Sequence, residues 1–214
     1  MILHGQQPLP VVIARTDCIV MGEYIFNSKM SAPFKFEADA LFAHPPVWKR
    51  TLSVLQRFVE NHLPRVEVLV GIERGGAHHG AALAMLLDIP FATLAETSSG
   101  YKLEGATVAD RSVLPFDDVV TTAGSLIRAT KFLRSQTAKV DRSLAIADHC
   151  LVEARIHLEK AKLFHEAPVA VPLVVSAALG LGLITDEDFD KIDTWRTDPR
   201  AYGGQRSLPL EARV

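Results

Sequence analysis

Cysteine is scarce. The chain of 214 residues has two, Cys18 and Cys150, far apart in sequence. Two are too few for a disulfide framework and lack zinc spacing, so a reducing compartment is the simplest setting. Both are expected to be small buried apolar residues. An excess of one charge sign is missing too: the formal net charge is −2. No global field recruits nucleic acid, and any bound anion must be held by local geometry. Long unbroken apolar runs are absent. The stretch around Ala167 to Ile184 is interrupted by Pro168, Pro172, Gly180 and Gly182, which argues against a membrane span. Met1 to Pro8 lack a basic segment followed by an apolar one, so no signal peptide is expected. Aromatics are modest at 7%, and no repeat or low-complexity tract is evident. These absences predict a soluble, cytoplasmic protein with neither nucleic acid nor membrane as partner.

What is present reads as globular: 48% of residues are hydrophobic and 22% charged. The length suits one domain of 1–214. Residues 46–62 repeat apolar side chains at helical spacing, with Pro64 just beyond. Val66–Ile72 is a β-branched apolar run and predicts a buried strand. Residues 78–87 look helical, and Ile89–Leu94 looks like a second strand. Val113–Val120 predicts a third strand, Leu126–Ser135 a helix and Ser143–Ala147 a fourth strand. Val152–Phe164 predicts a helix and Pro168–Ser176 a last strand. Such alternation predicts an α/β domain with a parallel sheet covered by helices on both faces. Ligands bind beyond the carboxyl ends of such strands. Residues 1–45 break the pattern and predict a small hood or flap, 46–196 the α/β core, and 197–214 a C-terminal arm containing Gly203, Gly204 and Pro209.

The most informative run is Val113 to Ser125. A strand delivers Asp117, Asp118, Val119 and Val120 to its end. Thr121, Thr122, Ala123, Gly124 and Ser125 then open a helix. Backbone N–H groups and three hydroxyls at a helix start make a cradle for a dianionic phosphate, and Gly124 admits close backbone approach. The two carboxylates repel a phosphate; their partners are sugar hydroxyls or a divalent cation reached through water. A strand end and a helix cap explain either half alone, but the combination points to a phosphorylated ribose. A second strand runs into Gly71, Glu73, Arg74, Gly75 and Gly76. Exposed amides plus one forked cation suit pyrophosphate. His78 and His79 follow, on different helix faces, and read as a helix start near the site.

The run Val113–Ser125 resembles the phosphoribosyl-pyrophosphate signature of type I phosphoribosyltransferases, with supporting likeness over about residues 20–190. The resemblance implies a Rossmann-like parallel-sheet fold with a small N-terminal hood. It implies that Asp117 and Asp118 hold the ribose hydroxyls, and that Thr121 to Ser125 hold the 5-phosphate. Glu73, Arg74, Gly75 and Gly76 would hold pyrophosphate. It implies Mg²⁺ through water and substrate near Asp117 and Asp118, 5-phosphoribosyl-1-pyrophosphate and a nitrogenous base as ligands, and a homodimer. Pro115 departs from the family's aliphatic residue and predicts a bulge or irregular strand.

Gly22 to Phe36 resembles the N-terminal segment of orotate phosphoribosyltransferases, whose Ser-Pro-aromatic turn is echoed by Ala32-Pro33-Phe34. That branch's base-binding lysine falls on Asn27, with Ser28-Lys29 following, and its later arginine falls near His149. Lys29, Phe34, Lys35 and His149 remain as candidate base contacts. The branch's long basic loop corresponds to a short Leu94–Gly105, with Lys102 as its one lysine and Glu96 where a cation is expected. Lys102, beside Arg74 and Mg²⁺, would stabilise the leaving group. The resemblance implies a pyrimidine-type phosphoribosyltransferase. The alternatives are a purine-type enzyme, or a phosphoribosyl-pyrophosphate-binding regulator without turnover, which the short loop and Asn27 favour. The acids after Thr185 lack the ligand spacing of a calcium loop and read as a helix cap.

Overall fold

The computed structural model describes residues 7–202 except Asn27, Pro64 and Ser99. The substitution at Asn27, the stop at Pro64 and the tail from Gly203 lie outside the described residues. In chain order the elements are α1 (Leu9–Ile13), β1 (Ile19–Ile25), β2 (Ser31–Phe36), a 3-10 helix (Ala38–Ala43), α2 (Pro45–His62), β3 (Val68–Ile72), α3 (Gly75–Leu87), β4 (Phe91–Thr97) and β5 (Gly100–Gly105). There follow β6 (Val113–Val120), α4 (Gly124–Ser135), β7 (Arg142–Asp148), α5 (Val152–Lys160), β8 (Phe164–Glu166), β9 (Val169–Ala170), α6 (Val171–Gly180) and α7 (Asp186–Thr197). Backbone contacts divide the chain into two compact units: Met1–Pro45 with Val171–Val214, and Pro46–Ala170.

The second unit is a sheet in the order β5-β4-β3-β6-β7-β8, with β9 also on β7. All pairings are parallel except β4 with β5. Every residue of β3 is buried, as expected of a strand covered on both faces. Val68, Val70 and Ile72 share a core with Leu126, Ala129 and Leu133 of α4 and Leu158 of α5. Leu69 points the other way, to Gly80 of α3. The two-residue period of β3 therefore puts α3 on one face and α4 with α5 on the other. Each large aliphatic side chain buried this way contributes about 1.5–3 kcal/mol.

Several expectations change. Val152–Phe164 is not one helix: α5 stops at Lys160. Lys162 takes a left-handed φ of 50°, and Leu163 N–H closes on the carbonyl of Leu158 at 3.0 Å, a helix-ending arrangement that frees Phe164 to start β8. Pro168–Ser176 is strand only at Val169–Ala170, and α6 begins at Val171. A short β-branched apolar run fits strand or buried helix alike, and Pro172, lacking an N–H, is well placed in a first helical turn. Pro115 causes no bulge. It pairs in register with Val70, and the ladder to β7 starts only at Phe116, so the missing donor falls before both neighbours are engaged. Cys150 is exposed, while Cys18 is buried; burial pushes the Cys18 thiol up to about 11.

In the first unit β1 and β2 form an antiparallel hairpin. Ala32-Pro33-Phe34 lies inside β2 and is not a turn. Pro33 is tolerated there because the register breaks opposite it, between Met21 and Tyr24. Trp195 of α7 is fully buried. Its indole N–H donates to the carbonyl of Ser31 at 2.8 Å, and its ring meets the edge of Phe34 at 5.5 Å between centroids. The acids after Thr185 are a cap: Thr185 and Asp188 form a reciprocal capping box.

His79 is a structural residue of the second unit. Its Nδ1 accepts the indole N–H of Trp48 at 2.9 Å. An indole only donates, so Nδ1 carries a lone pair and the ring is neutral. Burial, and secondarily the charge of His78, lowers its pKa from 6.5 to about 4. The unfolded chain takes up this proton near pH 6.5 and the folded chain only near pH 4. Stability from His79 is therefore complete above pH 6.5 and lost as the pH falls toward 4. The loss is on the order of 3 kcal/mol. Urea midpoints measured between pH 7 and 4.5 should fall accordingly. In His79→Gln, whose amide oxygen still accepts the indole proton, the fall should be shallower; equal slopes would refute the assignment.

Candidate functional site

The site forms at the carboxyl ends of β3 and β6, in the second unit. β6 carries four buried residues, Val113 to Phe116, and then Asp117, Asp118 and Val119, each half-buried. The strand pays out its core-facing residues first and presents its acids where the sheet ends. Asp117 Oδ1 accepts the backbone N–H of Asp118 at 3.0 Å. Burial, followed by the neighbouring charge of Asp118, raises the Asp117 carboxyl well above its ordinary range. A carboxylate in this setting favours hydroxyl donors or a cation close by.

β3 brings the second loop against this pair. Glu73 N–H donates to the carbonyl of Leu94 at 2.9 Å, and the Glu73–Arg74 peptide bond is cis. Glu73 and Arg74 are exposed. A Cβ on Gly75 would overlap the carboxylate of Asp118, and one on Gly76 would lie 2.6 Å from the carbonyl oxygen of Phe116 and 2.9 Å from Cα of Asp117. The two glycines are therefore the residues that let the Arg74 loop lie on the acidic strand end. The site brings Glu73, Arg74, Gly75, Gly76, Asp117 and Asp118 together.

The loop after β6 leads straight into α4. Ala123 occupies the cap position with a left-handed φ of 61°, no side chain caps the helix, and its first turn holds no acid. The first amides of α4 remain available to an anion. Thr122 and Ala123 are buried, and Thr121, Gly124 and Ser125 half-buried. His157 of α5 braces the loop: its Nδ1 donates to the carbonyl of Thr122 at 3.2 Å. No sequence spacing signals that contact.

The segment expected as a short loop, Leu94–Gly105, is an antiparallel hairpin of β4 and β5. Its register runs from Ala92↔Gly105 to Thr97↔Gly100, so two residues join the strands. Alternation in so polar a stretch is weak, which is why it reads as loop. Lys102 is exposed and paired with Glu104 at 2.7 Å. Glu104, and more weakly Glu73, raise its pKa. Glu96 is not unopposed: Arg128 of α4 holds its carboxylate at 3.1 Å.

The candidate base contacts are placed differently. Lys29 is exposed in the connection of β1 and β2 with a φ of 61°. Lys35 is paired with Glu37 and lies 5.5 Å from the ring of Tyr24. Phe34 is fully buried against Trp195 and acts as a core residue of the first unit. His149, in the second unit, is 1% exposed. Its backbone N–H donates to the carbonyl of Val120 at 2.9 Å, which ties the end of β7 to the end of β6. Next to it, Asp148 Oδ1 accepts the N–H of Cys150 at 2.7 Å. Burial raises the Asp148 carboxyl, partly offset by that hydrogen bond.

An α/β sheet whose acidic pair, glycine-bearing loop and uncapped helix start share one end fits a phosphoribosyl transferase domain, and the chain belongs to that family: the Phosphoribosyl transferase domain matches residues 38–167. Its similarity extends to the orotate phosphoribosyltransferase of Halalkalibacterium halodurans, at 24% identity over 82% of this chain and 86% of that one. The crystal structure of orotate phosphoribosyltransferase from Aeropyrum pernix superposes with a TM-score of 0.70 and 21% identity, covering 83% of this chain and 99% of that one. The structure of Leishmania donovani UMP synthase gives a TM-score of 0.77 at 17% identity, covering 88% of this chain and 41% of that one. These likenesses establish the fold as the mainly parallel α/β type with helices on both faces. No described helix is long and apolar enough to cross a membrane.

Proposed function

We propose that the protein transfers phosphoribose from 5-phosphoribosyl-1-pyrophosphate to a nitrogenous base of the orotate type, releasing pyrophosphate. The observation that carries this reading is the packing of the glycines of one anion loop onto the acids that precede the other. A donor with a phosphate at one end, a diol in the middle and a pyrophosphate at the other matches that order. The amides and hydroxyls of Thr121 to Ser125 would hold the 5-phosphate. Asp117 and Asp118 would accept the ribose hydroxyls, and their charge would favour the oxocarbenium-like state at the anomeric carbon. Arg74 and the amides of Gly75 and Gly76 would orient the departing pyrophosphate, with Lys102 at its edge. The protein's part is positioning and charge stabilisation.

The acidic pair also fits Mg²⁺. The described residues hold no cluster of three or more ligating side chains, so the ion would depend on Asp117, Asp118, water and the donor's own oxygens. When bound it would supply positive charge to the pyrophosphate. A cytoplasmic homodimer is part of the same proposal. A second reading, a donor-sensing regulator, is favoured by one observation: Thr97 pairs directly with Gly100, where the family resemblance implies a long basic loop. Calorimetry with the donor and Mg²⁺, followed by a panel of bases assayed for pyrophosphate release, separates the two. Orotate-dependent release is the expected result. Tight donor binding without release for any base would select the regulator, and no donor binding would refute both.

A further inference from the structure

Resting on the donor reading above, we infer that Arg128 is the side-chain cation of the 5-phosphate subsite, held in place by the β4–β5 hairpin. The phosphate loop itself, Thr121 to Ser125, contains no cation. Arg128 lies four residues beyond Gly124, hence on the same face of α4, one turn further on. Helical side chains lean toward the N-terminus, and this one does: a Cβ on Gly124 would sit 3.4 Å from Arg128 Nη1 and 3.6 Å from Thr122 Oγ1. The guanidinium and the Thr122 hydroxyl thus flank the same point at the mouth of the uncapped helix.

The guanidinium is anchored from outside α4. Arg128 Nη2 donates to Glu96 Oε2 at 3.1 Å. Partial burial works against its charge, but the hydrogen bonds and charges of Glu96 and Tyr101 outweigh it and raise its pKa. Glu96 and Tyr101 are direct cross-strand partners in the hairpin. The Tyr101 ring packs on Phe132, four residues past Arg128, at 5.1 Å between centroids. One face of α4 is therefore clamped by the hairpin at two successive turns. A guanidinium has five donors in a fixed fork, so Nη2 can stay on Glu96 while Nη1 meets a phosphate oxygen. The hairpin is thereby a strut for a cation at the phosphate end of the donor.

The test is calorimetry on the full chain with ribose 5-phosphate and, separately, pyrophosphate. Arg128→Ala should weaken ribose 5-phosphate about ten- to hundredfold, the range of a charge-assisted hydrogen bond, and leave pyrophosphate unchanged. Arg128→Lys, a point charge without the fork, should recover part of the loss. Arg128 is half-exposed, so a loss of fold is not expected; circular dichroism checks it. Equal losses for both ligands, or none for ribose 5-phosphate, would overturn the inference. If the wild-type protein binds neither ligand, the donor reading fails instead.

Discussion

Replacing Asp117 and Asp118 together by asparagine should lower affinity for the phosphoribosyl donor by about two to four orders of magnitude, two charged hydrogen-bonding groups contributing about 1.5–3 kcal/mol each. The fold should survive. Asp117 stands above its ordinary pKa because it is buried beside a like charge. The sign follows from proton uptake: the folded state holds this proton to higher pH than the unfolded state does. Wild-type stability contributed by this group is thus greatest at low pH and falls as the pH rises beyond the ordinary carboxylate range. The double variant lacks that fall, so at neutral pH its melting temperature should equal or exceed the wild type. Unchanged donor affinity with a native melting curve would remove the basis for the proposed function.

The second large effect separates two adjacent glycines. In Gly76→Ala the new methyl meets backbone, the Phe116 carbonyl oxygen at 2.6 Å and Asp117 Cα at 2.9 Å. Neither can move without distorting the central strand, and overpacking of this sort costs about 1–3 kcal/mol. In Gly75→Ala the methyl meets the carboxylate of Asp118, which can rotate away, and lies 2.9 Å from its Cβ, which only a small backbone shift relieves. Gly75→Ala should therefore keep more of its stability than Gly76→Ala and lose donor binding, about tenfold or more, because Asp118 is displaced from the ribose hydroxyls it is proposed to hold. Gly76→Ala should lose stability first. Urea denaturation and donor calorimetry on both variants read the contrast; matching behaviour would mean that the loop and the acids are not in contact.

The central sheet was legible because its signals are strong and local. Val68–Ile72 is apolar throughout, and Val113–Ser125 combines strand, acids, loop and helix start in one run. The loop after β6 needed no tertiary information to be found, since it follows the strand directly and opens α4. What was not legible depends on partners distant in sequence. Glu96 reads as a misplaced acid until Arg128 is seen beside it. His157 gives no clue that it reaches Thr122. Phe34 looks like a stacking ring and is a core residue, because Trp195, 161 positions on, covers it. β5 and β8 were missed for another reason: their edge positions alternate exposed and partly buried residues too briefly to show a period.

The direct pairing of Thr97 with Gly100 leaves the chain no slack at that rim. An extended residue spans only about 3.3–3.6 Å, so a two-residue connection has little reach of its own. On the proposed function this rim would act as a fixed wall beside the leaving group. A fixed wall shields less completely than a closing flap, but it never has to swing open before products depart, and that removes one common speed limit on turnover.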